Sequence, residues 1–198
     1  GISSTGDLVV SDGDFQQIGT GISLAGGTAD VDDINFISGI GNAVSITSGV
    51  SGDIDGMTGS SSNAIVAIDS TGFQISNVDM SGDRLVNSWS AGDLTITGAT
   101  YFADSSETPI DMRTSGTVTL SDISLTGQFS SLQGSYNAPW IGIALAGSGD
   151  YLISNSHIEA TDYAVKASGT GTLSVSDSLF LSENNGFSFS GISQTTLD

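Results

Sequence analysis

The chain has 198 residues, with 37 % hydrophobic and 13 % charged side chains, 27 Gly, 2 Pro and no Cys. That length fits one domain, the apolar fraction is enough for a sizeable core, and the missing Cys excludes disulfides and thiolate chemistry. A formal net charge of −19, from 22 acidic residues against only Arg84, Arg113 and Lys166, argues against nucleic acid or an anionic membrane surface as partner.

Read in chain order, the sequence repeats. The first landmark of each repeat is an apolar-x-apolar pair, a turn residue two positions on, and a large apolar residue three later. LVVSDGDF supplies Leu8, Val10, Asp12 and Phe15, and ADVDDINF supplies Ala29, Val31, Asp33 and Phe36. A weaker copy, GDIDGMTG, offers only Ile54 and Gly56. FQISNVDM, LTITGATY, VTLSDISL, YLISNSHI and LSVSDSLF follow, with turn residues Asn77, Gly98, Asp122, Asn155 and Asp177. A second landmark, a small residue before another apolar-x-apolar pair, begins at Ile22, Val44, Ile65, Val86, Ile110, Ile143, Val165 and Phe187, with LVNS around Val86 the poorest copy.

The spacing selects the architecture. First landmarks start at 8, 29, 52, 73, 94, 118, 151 and 173, in steps of 21, 23, 21, 21, 24, 33 and 22. Second landmarks start at 22, 44, 65, 86, 110, 143, 165 and 187, in steps of 22, 21, 21, 24, 33, 22 and 22. Both lengthen together at the same place, which separate loops of a β-sandwich would not do. Each repeat holds two or three short alternating strands and cannot bury its apolar face alone, so it must stack on its neighbours. Leucine-rich repeats need more Leu than this, propeller blades need about twice the period, and the nonapeptide of calcium-binding β-rolls is absent.

The expectation is an all-β, right-handed parallel β-helix (a solenoid) of about eight coils of 21–24 residues each, with a longer coil six, filling residues 1–198 as a single domain. Strand spacing of roughly 4.8 Å makes this a rod on the order of 40 Å long. The ends, GISSTGD and QTTLD, carry no obvious cap, so the expectation is a fragment of a larger protein. The turn position, Asp12 through Asp177, holds only Asn, Asp and Gly, the residues that tolerate left-handed backbone. Stacked along an axis, these positions resemble the asparagine ladder of the pectate-lyase-like β-helix superfamily. The resemblance spans nearly the whole chain and implies the fold. For function it implies only a list, since the fold hosts lyases, hydrolases, tailspikes, adhesins and inert spacers.

Motifs for polysaccharide cleavage are sparse. Of the paired-Asp signatures of polygalacturonases only Asp32-Asp33 is present, without its companions, and the basic residues do not fall beside an acidic cluster. His157 is the only histidine; it precedes the inward Ile158, points outward, and has Glu159 as its one acid/base partner in sequence. No catalytic residue is therefore assigned. Coil six carries an insert over about residues 126–141, with Phe129, Leu132, Tyr136 and Trp140. Long solenoid loops carry binding groups, so Tyr136 and Trp140 are candidate sugar-stacking residues. Trp89, with Arg113 one coil on, is a second candidate, either as a cation–π pair or as an inward ring where the register slips.

Carboxylates recur at what read as coil corners: Asp12 and Asp14, Asp30, Asp32 and Asp33, Asp53 and Asp55, Asp79 and Asp83. Hard cations accept oxygen ligands from such groups. No spacing defines a metal site and no cofactor is expected, Ca2+ being the one ion such corners suit. The functional expectation is a non-catalytic structural or adhesive module, extracellular or at the cell surface, partnered by neighbouring domains of the same protein or by polysaccharide. No apolar run is long enough for membrane insertion. The alternative is a polysaccharide-binding or polysaccharide-cleaving domain using the coil-six loop.

Overall fold

The computed structural model describes residues 1–47, 49–68, 72–127 and 141–198. The described residues hold strands and no helix. In chain order the strands are β1 (Ile2–Ser4), β2 (Leu8–Ser11), β3 (Asp14–Gln16), β4 (Thr20–Leu24), β5 (Gly27–Ser38), β6 (Asn42–Ile46) and β7 (Val50–Ile68). Next come β8 (Phe73–Ala91), β9 (Leu94–Ala103), β10 (Ile110–Thr114), β11 (Thr117–Gly127), β12 (Ile141–Gly147) and β13 (Asp150–Ser154). The last are β14 (His157–Ala160), β15 (Tyr163–Gly169), β16 (Thr172–Ser176), β17 (Leu179–Ser182), β18 (Asn185–Ser190) and β19 (Gln194–Leu197). Every pairing is parallel and joins one coil to the next, giving a parallel β-solenoid of about eight coils.

The stacking register is the one the landmarks predict. Leu8 pairs Ala29, Ala29 pairs Gly52, and the column continues through Phe73, Leu94, Val118, Tyr151 and Leu173. The second column runs Ile22, Val44, Ile65, Val86, Ile110, Ile143, Val165 and Phe187. The 33-residue step thus leaves the stacking intact, since Val118 still pairs Tyr151 and Ile110 still pairs Ile143. Val86, in the poorest copy, is fully buried between Ile65 and Ile110.

The core is the inside of the coil, where side chains of like position lie on each other along the axis. Alternation sends every second residue inward, and Val31, Ile54, Ile75, Ile96, Leu120 and Ile153 form one buried column. Phe15 stacks on Phe36 with centroids 5.4 Å apart. The third copy reads weakly because Gly52 stands in an inward column. A Cβ there would lie 1.9 Å from the carbonyl oxygen of Ala29, and its φ is +132°, so no larger residue fits.

At the turn position the backbone is left-handed in all eight coils. Asp12, Asp33, Asn77, Asp122, Asn155 and Asp177 have φ between 48° and 55°, and Gly56 and Gly98 have φ of 76° and 66°. One left-handed residue bends the chain from one strand direction to the next without a loop. The corner after β3 adds Gln17 (φ 51°), beneath Gly39 (φ 68°). No Asn/Asp/Gly signal marks Gln17, and the sequence does not single it out.

Asp122 is exposed, so its conformation can be tested apart from packing. Asp122→Val is expected to lower stability by about 1–2 kcal/mol, the cost of a branched side chain in left-handed backbone, whereas Asp122→Gly stays within about 1 kcal/mol of the parent. Urea unfolding of both variants measures the difference.

Candidate functional site

Tyr136 and Trp140 of the coil-six insert lie outside the described residues. Trp89 and Arg113 are described. The two residues pair directly across β8 and β10, and the register slips by one residue just beyond them, between Arg113 and Thr114. Trp89 comes before the slip, and alternation from buried Val86 and Ser88 puts it on the outer face, 57 % exposed, with the Arg113 guanidinium carbon 5.8 Å from its ring centroid. Of the two arrangements the sequence allows, the structure adopts the outward cation–π contact. Lys166 likewise lies over the Tyr163 ring at 5.8 Å, and Arg84 is ion-paired with Glu107.

His157 and Glu159 sit two residues apart on the outer face of β14, with Nε2 3.3 Å from Oε1 and the imidazole side chain 40 % exposed. Glu159 also lines a shallow, mainly apolar groove of about 290 Å³ beside Leu181 and Glu183. The pair is a side-by-side surface contact.

The acidic residues divide differently from the sequence expectation. Asp12 and Asp33 do occupy corners, but Asp30 and Asp32 lie within β5, and Asp53 and Asp55 within β7. Period-2 alternation turns i and i+2 outward together, and stacking lays Asp30 on Asp53 and Asp32 on Asp55. Four carboxylates thus form a two-by-two grid on a flat sheet face. Carboxylate oxygens of Asp30, Asp32 and Asp53 come within 4.8 Å of one another. Asp55 is held by donors from the next coil, Ser76 Oγ at 2.9 Å and Asn77 Nδ2 at 2.5 Å. Partial desolvation and the repulsion of Asp30, Asp53, Asp55 and Asp33 push the Asp32 carboxyl above the ordinary carboxylate range.

A second acidic place, which the sequence reading misses in part, lies at the corner that follows β3 in the first coil. There the chain of successive coils passes Gly39 and Ile40, Ser60 to Ser62, Gly82 and Asp83, and Asp104. Together they line a cavity of about 210 Å³. Asp104 N donates to Gly82 O at 3.1 Å, which fixes one coil on the other. Partial burial and the neighbouring Asp83 raise the Asp104 carboxyl. The buried phenol of Tyr101 is pushed far above its ordinary range by burial and by Asp104 and Asp83. Asp83 is among the acidic residues noted in the sequence, and Tyr101 closes the landmark LTITGATY; Asp104 and Ser61 carry no local motif, and Ser61 meets the others only through stacking.

The grid gives a pH signature. A carboxyl whose folded pKa is raised penalises the folded state once ionised, so its penalty is absent below the unfolded value of 3.8 and grows as pH rises through the raised folded value. Asp32→Asn is therefore expected to raise the thermal midpoint at neutral pH and to match the parent below about pH 3.8; calorimetric melts across pH read the convergence, which added salt narrows from the neutral side. Compared with known protein families, curated proteins and solved structures, the chain matches none.

Proposed function

We propose that the chain is a non-catalytic structural or adhesive module of an extracellular or cell-surface protein, a stiff β-solenoid that holds neighbouring domains apart or presents them. The observation that carries this reading is how the exterior polar groups are used. Asp7 accepts from Thr28 Oγ1 at 2.8 Å, Asn35 donates to Asp14 at 3.1 Å, and Asn63 donates to Asn42 at 3.0 Å. Thr97 and Ser121 meet at 3.0 Å, Thr172 donates to Asp150 at 2.6 Å, and Asn185 donates to Asp162 at 2.8 Å. Each bond joins one coil to the next, between paired positions except for Asn185, which pairs Tyr163 and reaches the residue before it. Side chains that would otherwise be free to converge on a substrate instead reinforce the backbone ladder. Leu179 and Leu181 on the outer face, and Phe189 and Leu197 on the last coil, are exposed, apolar surface of the kind that neighbouring domains of the same protein cover.

A second reading, polysaccharide binding, draws on one observation, the outward Trp89 with Arg113 at its face. An exposed indole beside a guanidinium is a platform for a sugar ring.

A polysaccharide panel, with and without Ca2+, separates these readings. The structural module is expected to release no new chain ends from any substrate; cleavage by the purified chain would overturn it. Retention on a polysaccharide without cleavage, reduced about tenfold or more by Trp89→Ala, would establish the binding reading instead, since loss of one stacking platform costs on the order of 1–2 kcal/mol. Antibodies against the chain are expected to label intact cells that produce it, and labelling only after permeabilisation would remove the surface location.

A further inference from the structure

The corner cavity next to Asp83 and Asp104 contains a feature that the acidic grid lacks. Tyr101 is fully buried, yet its hydroxyl has no hydrogen-bond partner. The contrast is Tyr151, equally buried, whose hydroxyl donates to Ala146 O at 2.5 Å. Ser61, only 6 % exposed and part of the cavity wall, also has an unpartnered Oγ. Burying a hydroxyl without a partner costs about 1–3 kcal/mol, and one such group in the cavity wall, with a second close behind it, calls for an occupant.

Ser61 and Gly82 both stand in the cavity wall, and the Tyr101 hydroxyl lies close to Gly82: a Cβ built on that glycine would fall 3.1 Å from Tyr101 Oη and 1.7 Å from the Ser61 carbonyl oxygen, and its φ is +149°. No side chain can stand at Gly82, so the wall there is bare backbone flanked by oxygen atoms. The rim adds Asp83 and Asp104, which follow the directly paired residues Gly82 and Ala103 on adjacent coils. Arg84, the nearest cation in sequence, is engaged by Glu107 and so does not neutralise them.

We propose that this corner is a binding site for a hydrated divalent hard cation, Ca2+, with Asp83 and Asp104 as its charged ligands and the Ser61 hydroxyl of the cavity wall as a further oxygen of its shell. The donor set is wholly oxygen, which selects hard ions over Zn2+ or Cu2+. The cavity is wider than a bare ion, so water fills part of the shell, as Ca2+ permits with its variable coordination number. Bound there, the ion would tie coils three, four and five together at a corner where two carboxylates otherwise repel each other. The site is independent of what the outer faces bind, and its failure would leave the structural reading untouched.

Terbium(III) is the probe, because it replaces Ca2+ and emits when a nearby tyrosine passes energy to it. The full chain is expected to show saturable, tyrosine-sensitised emission that Ca2+ displaces. Asp83→Asn and Asp104→Asn should each raise the Tb3+ concentration for half-saturation about tenfold or more, because affinity follows ligand charge. Their combination should abolish saturable emission, and Ser61→Ala should weaken it at unchanged far-ultraviolet circular dichroism. Asp32→Asn with Asp53→Asn, which dismantles the grid, should leave the emission intact. Emission that persists in the Asp83→Asn/Asp104→Asn chain, or that is lost only with the grid, would overturn the site, as would the absence of any saturable emission, which would mean that water alone fills the cavity.

Discussion

Parallel pairing of each strand with its counterpart one coil away is the constraint on which everything else depends. It fixes the axial partner of every residue, and alternation along the strand then decides whether that partnership is inside or outside. Inside, the rule puts Ile on Ile and Phe on Phe, so a coil with little apolar area of its own shares a continuous core with its neighbours. Interruptions are tolerated only where the pairing survives them, which is why the 33-residue step leaves Tyr151 on Val118.

The same rule acts on polar residues with either sign. Amide on amide or hydroxyl on carboxylate produces hydrogen bonds between coils, as at Asn63 with Asn42 and Thr172 with Asp150. Carboxylate on carboxylate produces repulsion, as at Asp30 with Asp53 and Asp32 with Asp55. The structure answers the repulsion in part by donors from the next coil, Ser76 and Asn77 on Asp55, and leaves the rest as a raised Asp32 carboxyl. A chain with this charge spends stability on solubility.

Corners differ from faces because the backbone there leaves the ladder. At the Asn/Asp/Gly turn one left-handed residue suffices and the stack is tight. At the corner holding Asp83 and Asp104 a cavity is left, and the groups around it are drawn from several coils. A buried hydroxyl with a partner, Tyr151, and one without, Tyr101, occur in the same core. That difference marks the second corner as a place where structure alone does not complete the hydrogen bonding.

The sequence by itself determined the coil period, the inward columns and the turn position, because each of these is a repeated local pattern. Asp12, Asp33, Asn77, Asp122, Asn155 and Asp177 announce left-handed backbone by residue type, and they adopt it. Only the tertiary structure decided the rest. Gly52 hid an inward position, since a tight approach to Ala29 removes the side chain that would have signalled it. Trp89 faces outward because the slip comes only beyond it, so the alternation set by Val86 and Ser88 still holds there; where a slip falls is a property of two strands and not of one. The acidic residues read as corners became a grid because face or corner depends on the strand's extent. Ser61 is two coils away in sequence from Tyr101 and Asp104; what brings them to one corner is the axial stacking of coils, and a linear pattern carries no record of how closely two coils approach at a bend.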